Sequence, residues 1–321
     1  MKLLEYVNLE VVKSVKGKDL LTWFNYSSEE VKGLLDLAGQ LKSLAKNGVH
    51  PPLLAGKTVG LIFEKHSTRT RISFEIGMNQ LGGNAMYIHA RDLQIDRGEP
   101  ISDTGKVLSA YLDGIMIRAN SHKMVEELAC SATIPVINGL TDLYHPCQAL
   151  ADLLTIHEVK GDLQGQKLAY VGDGNNVAHS LIIVCAHLGV DVSIASPVGF
   201  EIDSTILVKA QQLAASNGST IMTTTHPIEA VKNADVIYTD VWTSMGQEEE
   251  TAARLRAFEG YQINEDLVQH AKSNYLFLHC LPAHREEEVA ASIIDGQHSA
   301  VFQQAENRLH AQKALLASIL A

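Results

Sequence analysis

The chain has 321 residues, 46% of them hydrophobic, enough to bury the core of one large domain or of two ordinary ones. Thirty-seven acidic against 26 basic residues give a formal net charge of −11, the wrong sign for a general nucleic-acid binder. The longest apolar runs, residues 179–190 and 313–321, fall far short of the roughly 20 residues that span a bilayer, so no membrane segment is expected.

In chain order, the opening MKLLEYVNLEVVKSVKGKDLL is interrupted by charges and has no small-residue cleavage site after an apolar core. It does not read as a secretory signal, and the expected compartment is the cytoplasm. A helical pattern follows over about residues 28–47. Apolar runs then recur at 57–63, 84–90, 113–119 and 134–138, separated by helical patterns. After a helical stretch at 145–161, further runs come at 167–173, 190–197, 219–225, 235–242 and 275–281, again with helices between them.

Strands alternating with helices of about 10–15 residues imply βαβ crossovers and parallel sheets covered on both faces. Nine such runs predict an α/β chain of two doubly wound parallel-sheet domains, residues 1–150 and 151–321; the C-terminal helix is expected to pack back on the first. There is no repeat, low-complexity tract or long linker, so the boundary lies inside ordered structure. Function is expected at strand C-terminal ends, facing an interdomain cleft.

The first such end carries STRTR, residues 67–71, between a predicted buried strand and an amphipathic helix. Unpaired backbone N–H groups and the helix dipole favour an anion there; Ser67, Thr68 and Thr70 add hydroxyls, and an arginine can grip phosphate with two parallel bonds. Helix capping with exposed arginines explains the same residues when they stand alone. The spacing of a Walker loop is absent, so nucleotide phosphate transfer is not implied.

Five more clusters end predicted strands. Arg118 closes DGIMIRA and is placed to meet the same anion, or is one surface arginine. His145 precedes Pro146, a residue suited to the first helical position, and Gln148 follows one turn on, so both can point into one pocket or simply cap and pack. GDGNN, residues 172–176, invites a dinucleotide reading, but Val177 stands where the third fingerprint glycine belongs and the second strand supplies no ribose-binding acid. Gly172 and Gly174 then ease a tight turn, with Asn175 and Asn176 as possible ligand donors.

Asp240 ends the next run, before a polar loop containing Ser244, Met245 and Gly246 that can close over a ligand or remain a solvated acidic loop. The last cluster, HCLPAHR at 279–285, follows no ordinary capping rule. Cys280 reads as a buried inert thiol or a functional one, and Pro282 breaks the helical spacing that two metal-binding histidines need. Cys130, Cys147, Cys185 and Cys280 share no short spacing, which argues against a zinc site and a disulfide framework.

Taken together, STRTR, the Ile117-Arg118 pair, HPCQALADL, DVWTSMG, HCLPAHR and AENRLHAQ resemble the ornithine carbamoyltransferases in order and spacing along nearly the whole chain. STRTR and HPxQ belong to the wider aspartate and ornithine carbamoyltransferase family, while DVWTSMG and HCLP are similar to its ornithine branch. The resemblance implies a carbamoyl-phosphate domain followed by an ornithine domain, and a homotrimeric building block or a multiple of it. It implies carbamoyl phosphate and L-ornithine as substrates, with no metal or organic cofactor.

Carried over by motif, Ser67, Thr68, Arg69, Thr70 and Arg118 look like a phosphate clamp, with His145 and Gln148 on the carbamoyl group and Arg308 as a further ligand. Gln94 lies in a loop that, in the family, reaches a neighbouring subunit's phosphate site. Asn176, Asp240, Ser244 and Met245 look like the holders of ornithine's amino-acid end, and Cys280 and Leu281 like neighbours of the reacting amine. Arg118, His145 and Cys280 are the expected catalytic residues. Other acceptors (putrescine, acetylornithine or aspartate), a nicotinamide dehydrogenase using GDGNN, and a catalytically silent scaffold are the rival readings. The SMG loop, the missing fingerprint residues, and the retained arginines and Cys280 weigh against them respectively.

Overall fold

The computed structural model describes residue 7, residues 13–243 and residues 248–321; nothing is stated for the side chains of residues 95, 96 and 248. The chain divides into two compact units, Met1–Leu154 with Glu306–Ala321, and Thr155–Ala305. Each is built on one parallel sheet.

In the first unit, α1 (Ser28–Lys46) starts from a capping box: Ser27 Oγ accepts from Glu30 N at 3.2 Å, and Glu30 Oε2 accepts from Ser27 N at 2.9 Å. Then come β1 (Thr58–Phe63), α2 (Arg69–Gln80), β2 (Asn84–His89), α3 (Ile101–Tyr111), β3 (Gly114–Arg118), α4 (His122–Ser131) and β4 (Val136–Leu140). The strands lie in the order β2-β1-β3-β4, and Ile62, Ile115, Ile117, Val125, Leu128 and Val136 are buried together. Near-continuous burial along β1 and β3 is what a sheet covered on both faces demands.

β4 begins two residues later than its apolar run predicts. Pro135 has no N–H for the ladder, though its carbonyl accepts from Ile115 N at 2.9 Å. The register between β3 and β4 shifts at Ile117/Arg118, where Ile117 pairs with Asn138 and Arg118 with Leu140. Gly139 is the extra residue, and the irregularity falls at the strand end that carries Arg118.

Helix α5 (Pro146–Lys160) runs past the unit boundary into the second unit. There follow β5 (Lys167–Val171), α6 (Asn176–His187), β6 (Asp191–Ala195), α7 (Ser204–Ser216), β7 (Ile221–Thr224), α8 (Pro227–Val231), β8 (Val236–Thr239), α9 (Thr251–Ala257), α10 (Glu265–Val268), β9 (Leu276–His279), α11 (Ala291–Ile294) and α12 (Val301–Leu320). The sheet order is β7-β6-β5-β8-β9. Every residue of α6 from Val177 to His187 is buried, and Val171, Ile237, Phe258, Phe277 and Ile294 share one core.

All nine predicted strands form, and both sheets reverse direction of winding once, between β1 and β3 and between β5 and β8. Ligands of open α/β sheets bind outside the strand carboxyl ends at such points. Among the described residues no helix is long and apolar enough to cross a membrane.

Candidate functional sites

At the switch point of the first sheet, β1 stops at Phe63 and α2 starts at Arg69, so residues 64–68 form the turn. Thr68 occupies the cap position with an α-type backbone and makes no side-chain cap bond. Ser67 does that work one residue earlier: its Oγ accepts from Thr70 N at 3.3 Å and from Arg118 Nη1 at 3.1 Å. Capping and cation contact, rival explanations in the sequence, are both met by one hydroxyl.

Arg118, at the end of β3, also reaches Thr70 Oγ1 at 3.4 Å, and Arg308 on α12 reaches it through Nη2 at 3.2 Å. Arg308 Nη1 donates to Gln148 Oε1 at 2.6 Å, and Gln148 Nε2 donates to Asp152 Oδ1 at 2.7 Å. Thr70, Arg118, His145, Gln148 and Arg308 are all buried. Two buried guanidinium groups on one threonine hydroxyl make a concentrated positive site, as an oxyanion requires.

His145 stands immediately before α5, and its imidazole is held well below the usual histidine range by burial first, then by the charges of Arg308, Arg118 and Arg69. It is therefore neutral at neutral pH and suited to hydrogen bonding rather than to carrying charge. The adjacent Cys147 is inert: burial pushes its thiol up to about 12, and Sγ points to Asn138 O at 3.5 Å. Gln94 opens a short 3₁₀ turn, is exposed, and accepts from Arg97 Nη1 at 3.4 Å; no hydrogen bond joins it to the arginine cluster among the described residues.

The second sheet builds its own cluster at the ends of β5, β8 and β9. Asn175 caps α6, its Oδ1 accepting from Val177 N and Ala178 N at 3.0 and 3.2 Å, while its Nδ2 donates to Asp240 Oδ2 at 2.8 Å. Asn176, the residue the family motif singles out, is the first residue of that helix. Gly174 is dictated by close approach: a Cβ there would lie 2.4 Å from both Glu201 C and Ile202 N, backbone atoms that cannot swing aside.

Asp240, just past β8, accepts from Cys280 Sγ at 2.9 Å and from Val241 N at 2.9 Å, both on Oδ1. Ser244 and Met245 lie outside the described residues. Leu281 adopts a left-handed backbone (φ 58°), and its N–H donates to His279 Nδ1 at 2.9 Å. His279 Nε2 in turn meets Glu288 Oε1 at 3.1 Å, and both side chains are fully buried. One donor atom each from Asp240, His279 and Cys280 falls within 4.8 Å of the others, but both ring nitrogens of His279 are already engaged, so a metal ion would have to displace one of them.

Glu288, Asp152 and the buried Asp173–Arg254 pair (2.7 Å) escaped the sequence reading. Asp152 was findable, four residues after Gln148 on one helix face. Arg254 sits 81 positions from Asp173 with no motif to link them.

Comparison with known proteins points to one family over nearly the whole chain. Residues 18–158 match the family model described as the aspartate/ornithine carbamoyltransferase carbamoyl-P binding domain, and residues 164–319 match the Asp/Orn binding domain of the same family. The ornithine carbamoyltransferase of Bacillus subtilis is 62% identical over 307 residues, covering 96% of this chain and 95% of the relative. That of Halalkalibacterium halodurans is 59% identical over 311 residues, 97% of this chain and 98% of the relative. Among solved structures, the ornithine carbamoyltransferase from Pyrococcus furiosus superposes with a TM-score of 0.93 at 55% identity, covering 95% of this chain and 98% of that one. With one family's two domain models matching residues 18–158 and 164–319, and relatives of about 60% identity over nearly its full length, the chain belongs to the aspartate/ornithine carbamoyltransferase family.

Proposed function

We infer that the chain transfers the carbamoyl group of carbamoyl phosphate to the side-chain amine of L-ornithine, giving L-citrulline and phosphate. The observation that carries this is the convergence of Arg118 and Arg308 on Thr70 Oγ1, at 3.4 and 3.2 Å, in the same buried cluster as the neutral His145. That arrangement suits a substrate with a phosphate and an adjacent polarised carbonyl.

The amine lone pair attacks the carbonyl carbon, a C–N bond forms, and the C=O pair moves onto oxygen. As that oxyanion collapses, the bond between the carbonyl carbon and the oxygen that bridges to phosphorus breaks, and phosphate leaves with the electron pair. The nitrogen sheds its proton. Ser67, Thr68, Arg69 and Thr70 hold the phosphate, Arg118 spans phosphate and carbonyl oxygen, and His145, Gln148 and Arg308 take the carbamoyl oxygen and amide. A neutral imidazole donates to the developing oxyanion without repelling Arg118 and Arg308.

On the acceptor side, Asp240 pairs with the α-ammonium, and Asn176, Ser244 and Met245 complete the hold on the amino-acid end. The side-chain amine, with a solution pKa of roughly 10.4 by analogy with lysine, must be neutral to attack. Cys280 and Leu281 sit beside it, and Cys280 orients the amine and takes its proton as its own thiol proton passes to Asp240 Oδ1, to which it already donates; the anhydride is already activated, so an acyl-enzyme step adds nothing.

The family likeness supports a cytoplasmic enzyme of arginine metabolism, working as a homotrimer or a multiple of it, with Gln94 reaching a neighbouring copy's phosphate site. The deciding experiment supplies carbamoyl phosphate with ornithine, putrescine, acetylornithine and aspartate and quantifies each carbamoylated product. Citrulline as the dominant product supports the reading; carbamoyl-aspartate or carbamoyl-putrescine in its place sinks it.

A further inference from the structure

Resting on the role just given to His145, we propose that His122 is a positioning residue for it, pinning the turn that aims His145 to the strand end that carries Arg118. Neither the motifs nor the mechanism uses His122. It is the first residue of α4 and is 6% exposed.

Two chain segments meet there. One leaves β3 after Arg118, as Ala119, Asn120, Ser121 and His122. The other leaves β4 and runs through Thr141 and Asp142 to Tyr144 and His145. Backbone bonds join them first: Ala119 N donates to Leu140 O at 3.0 Å and Asp142 N to Asn120 O at 3.0 Å. His122 then adds three contacts of its own. Its N–H donates to Asp142 Oδ1 at 2.8 Å, its Nδ1 lies 3.0 Å from Thr141 Oγ1, and its ring meets Tyr144 edge-on at 4.9 Å.

The Thr141 hydroxyl is the centre of the turn. Its oxygen accepts from Tyr144 N at 3.2 Å and from Asn138 Nδ2 at 3.4 Å, which fills both acceptor directions. Near the hydroxyl proton lie Tyr144 O at 3.4 Å and His122 Nδ1 at 3.0 Å, and the imidazole is the nearer of the two. This assigns His122 the Nε2–H tautomer, with Nδ1 as the acceptor that fixes the hydroxyl. Burial holds His122 below the usual histidine range, outweighing Glu126 and Asp142, which act the other way, so the accepting form persists at neutral pH.

Tyr144 is adjacent to His145, so the Thr141–Tyr144 turn sets where the catalytic imidazole begins. A misplacement of about 1 Å in a reacting group can cost roughly 10²-fold in rate. The phosphate ligands after β1 do not depend on this turn, and His145 contributes most where negative charge develops on the carbonyl oxygen, so His122 acts more on turnover than on carbamoyl-phosphate binding.

The test is a double-mutant cycle on the full-length enzyme, with kcat and KM for carbamoyl phosphate measured for His122→Ala, His122→Phe and His122→Asn, alone and with His145→Asn. His122→Ala and His122→Phe should each lower kcat about 10- to 100-fold with KM changed less than about threefold. His122→Asn, whose amide oxygen can replace Nδ1, should recover most of the loss. With His145→Asn present, removing His122 should cost less than about twofold more. His122→Phe keeps the ring against Tyr144, so it reports on the nitrogen even where His122→Ala does not fold. Full kcat in His122→Phe overturns the proposal, as does a loss that simply multiplies with that of His145→Asn. If His145→Asn alone retains full activity, the catalytic role of His145 falls, and the proposal falls with it.

Discussion

Arg308 Nη2 donates to Thr70 Oγ1 at 3.2 Å, a bond between residues 238 positions apart that ties the C-terminal helix to the first turn of α2. Arg118 reaches the same oxygen from β3 at 3.4 Å. The candidate anion site of the first unit is thus assembled from an early turn, a strand end and the last helix, with two positive charges held close in a buried setting. Guanidinium groups brought together in this way suit a ligand that carries negative charge.

Arg118→Leu should lower kcat by at least two orders of magnitude, because loss of one preorganised oxyanion donor typically costs about 10²- to 10³-fold. The fold should survive, since leucine fills similar space at a strand end and relieves a crowded charge. Steady-state kinetics beside circular dichroism checks both; near-normal turnover in a folded variant refutes the assignment of Arg118.

Carbamoyl phosphate alone should raise the melting temperature, and ornithine alone should do so much less. The proposed phosphate ligands within the chain lie on one unit, so that set is complete without the second substrate. At 100 times Kd a ligand stabilises by about 2.7 kcal/mol, a shift that differential scanning calorimetry resolves. Equal stabilisation by ornithine alone contradicts this order.

Much of this was legible because the chemistry is local. STRTR, HPCQ and HCLP each bring their residues to one strand end, and the apolar runs that precede them set which end of which strand. Arg308 was accessible only through family likeness: nothing in AENR by itself says that it meets Gln148 and Thr70. Glu288 was illegible because its partner, His279, is chosen by a loop whose path depends on the left-handed backbone at Leu281. The offset of β4 had a readable cause in Pro135, but the bulge at Gly139 depends on pairing with β3, which no local pattern reports.

Stability should fall on acidification, and His145 should account for part of the fall. Its folded pKa is depressed, so between the unfolded value of about 6.5 and the lower folded value the unfolded chain binds the extra proton. Stability is fully present above about pH 6.5 and is lost as pH drops through that window, by up to about 1.4 kcal/mol per pH unit for one proton. Urea unfolding at pH 7.5 and pH 5.5 should show a shallower pH dependence for His145→Asn than for the unaltered chain, with His122 supplying a remaining contribution of the same sign. Identical pH slopes count against a buried neutral His145.

Gly174→Ala should destabilise the second unit by about 1–3 kcal/mol, the usual cost of forcing extra atoms into a packed site. The added methyl meets backbone atoms of Glu201 and Ile202 at 2.4 Å, so the turn after β5 must move, and Asn175 with it. The KM for ornithine should therefore rise while that for carbamoyl phosphate stays near its starting value. A rise in both, or in neither, breaks the link between this turn and the acceptor site.

Cys280→Ser should retain measurable turnover. Cys280 Sγ donates to Asp240 Oδ1 at 2.9 Å, and a serine hydroxyl at the same place donates to the same oxygen, so the orientation of the carboxylate is kept. What serine changes is the readiness with which the group exchanges a proton with the attacking amine. A fall of about 10- to 100-fold in kcat, within the range of general acid–base contributions, is the expected cost, with Cys280→Ala falling further because the hydrogen bond to Asp240 goes as well. A covalent mechanism predicts something different: an acyl-thioester forms with carbamoyl phosphate alone, releases a burst of phosphate without ornithine, and is abolished by serine to background rates. Rapid-quench measurement of phosphate release in the absence of ornithine separates the two. A stoichiometric burst in the unaltered enzyme, missing in Cys280→Ser, replaces proton handling with nucleophilic catalysis as the role of this thiol.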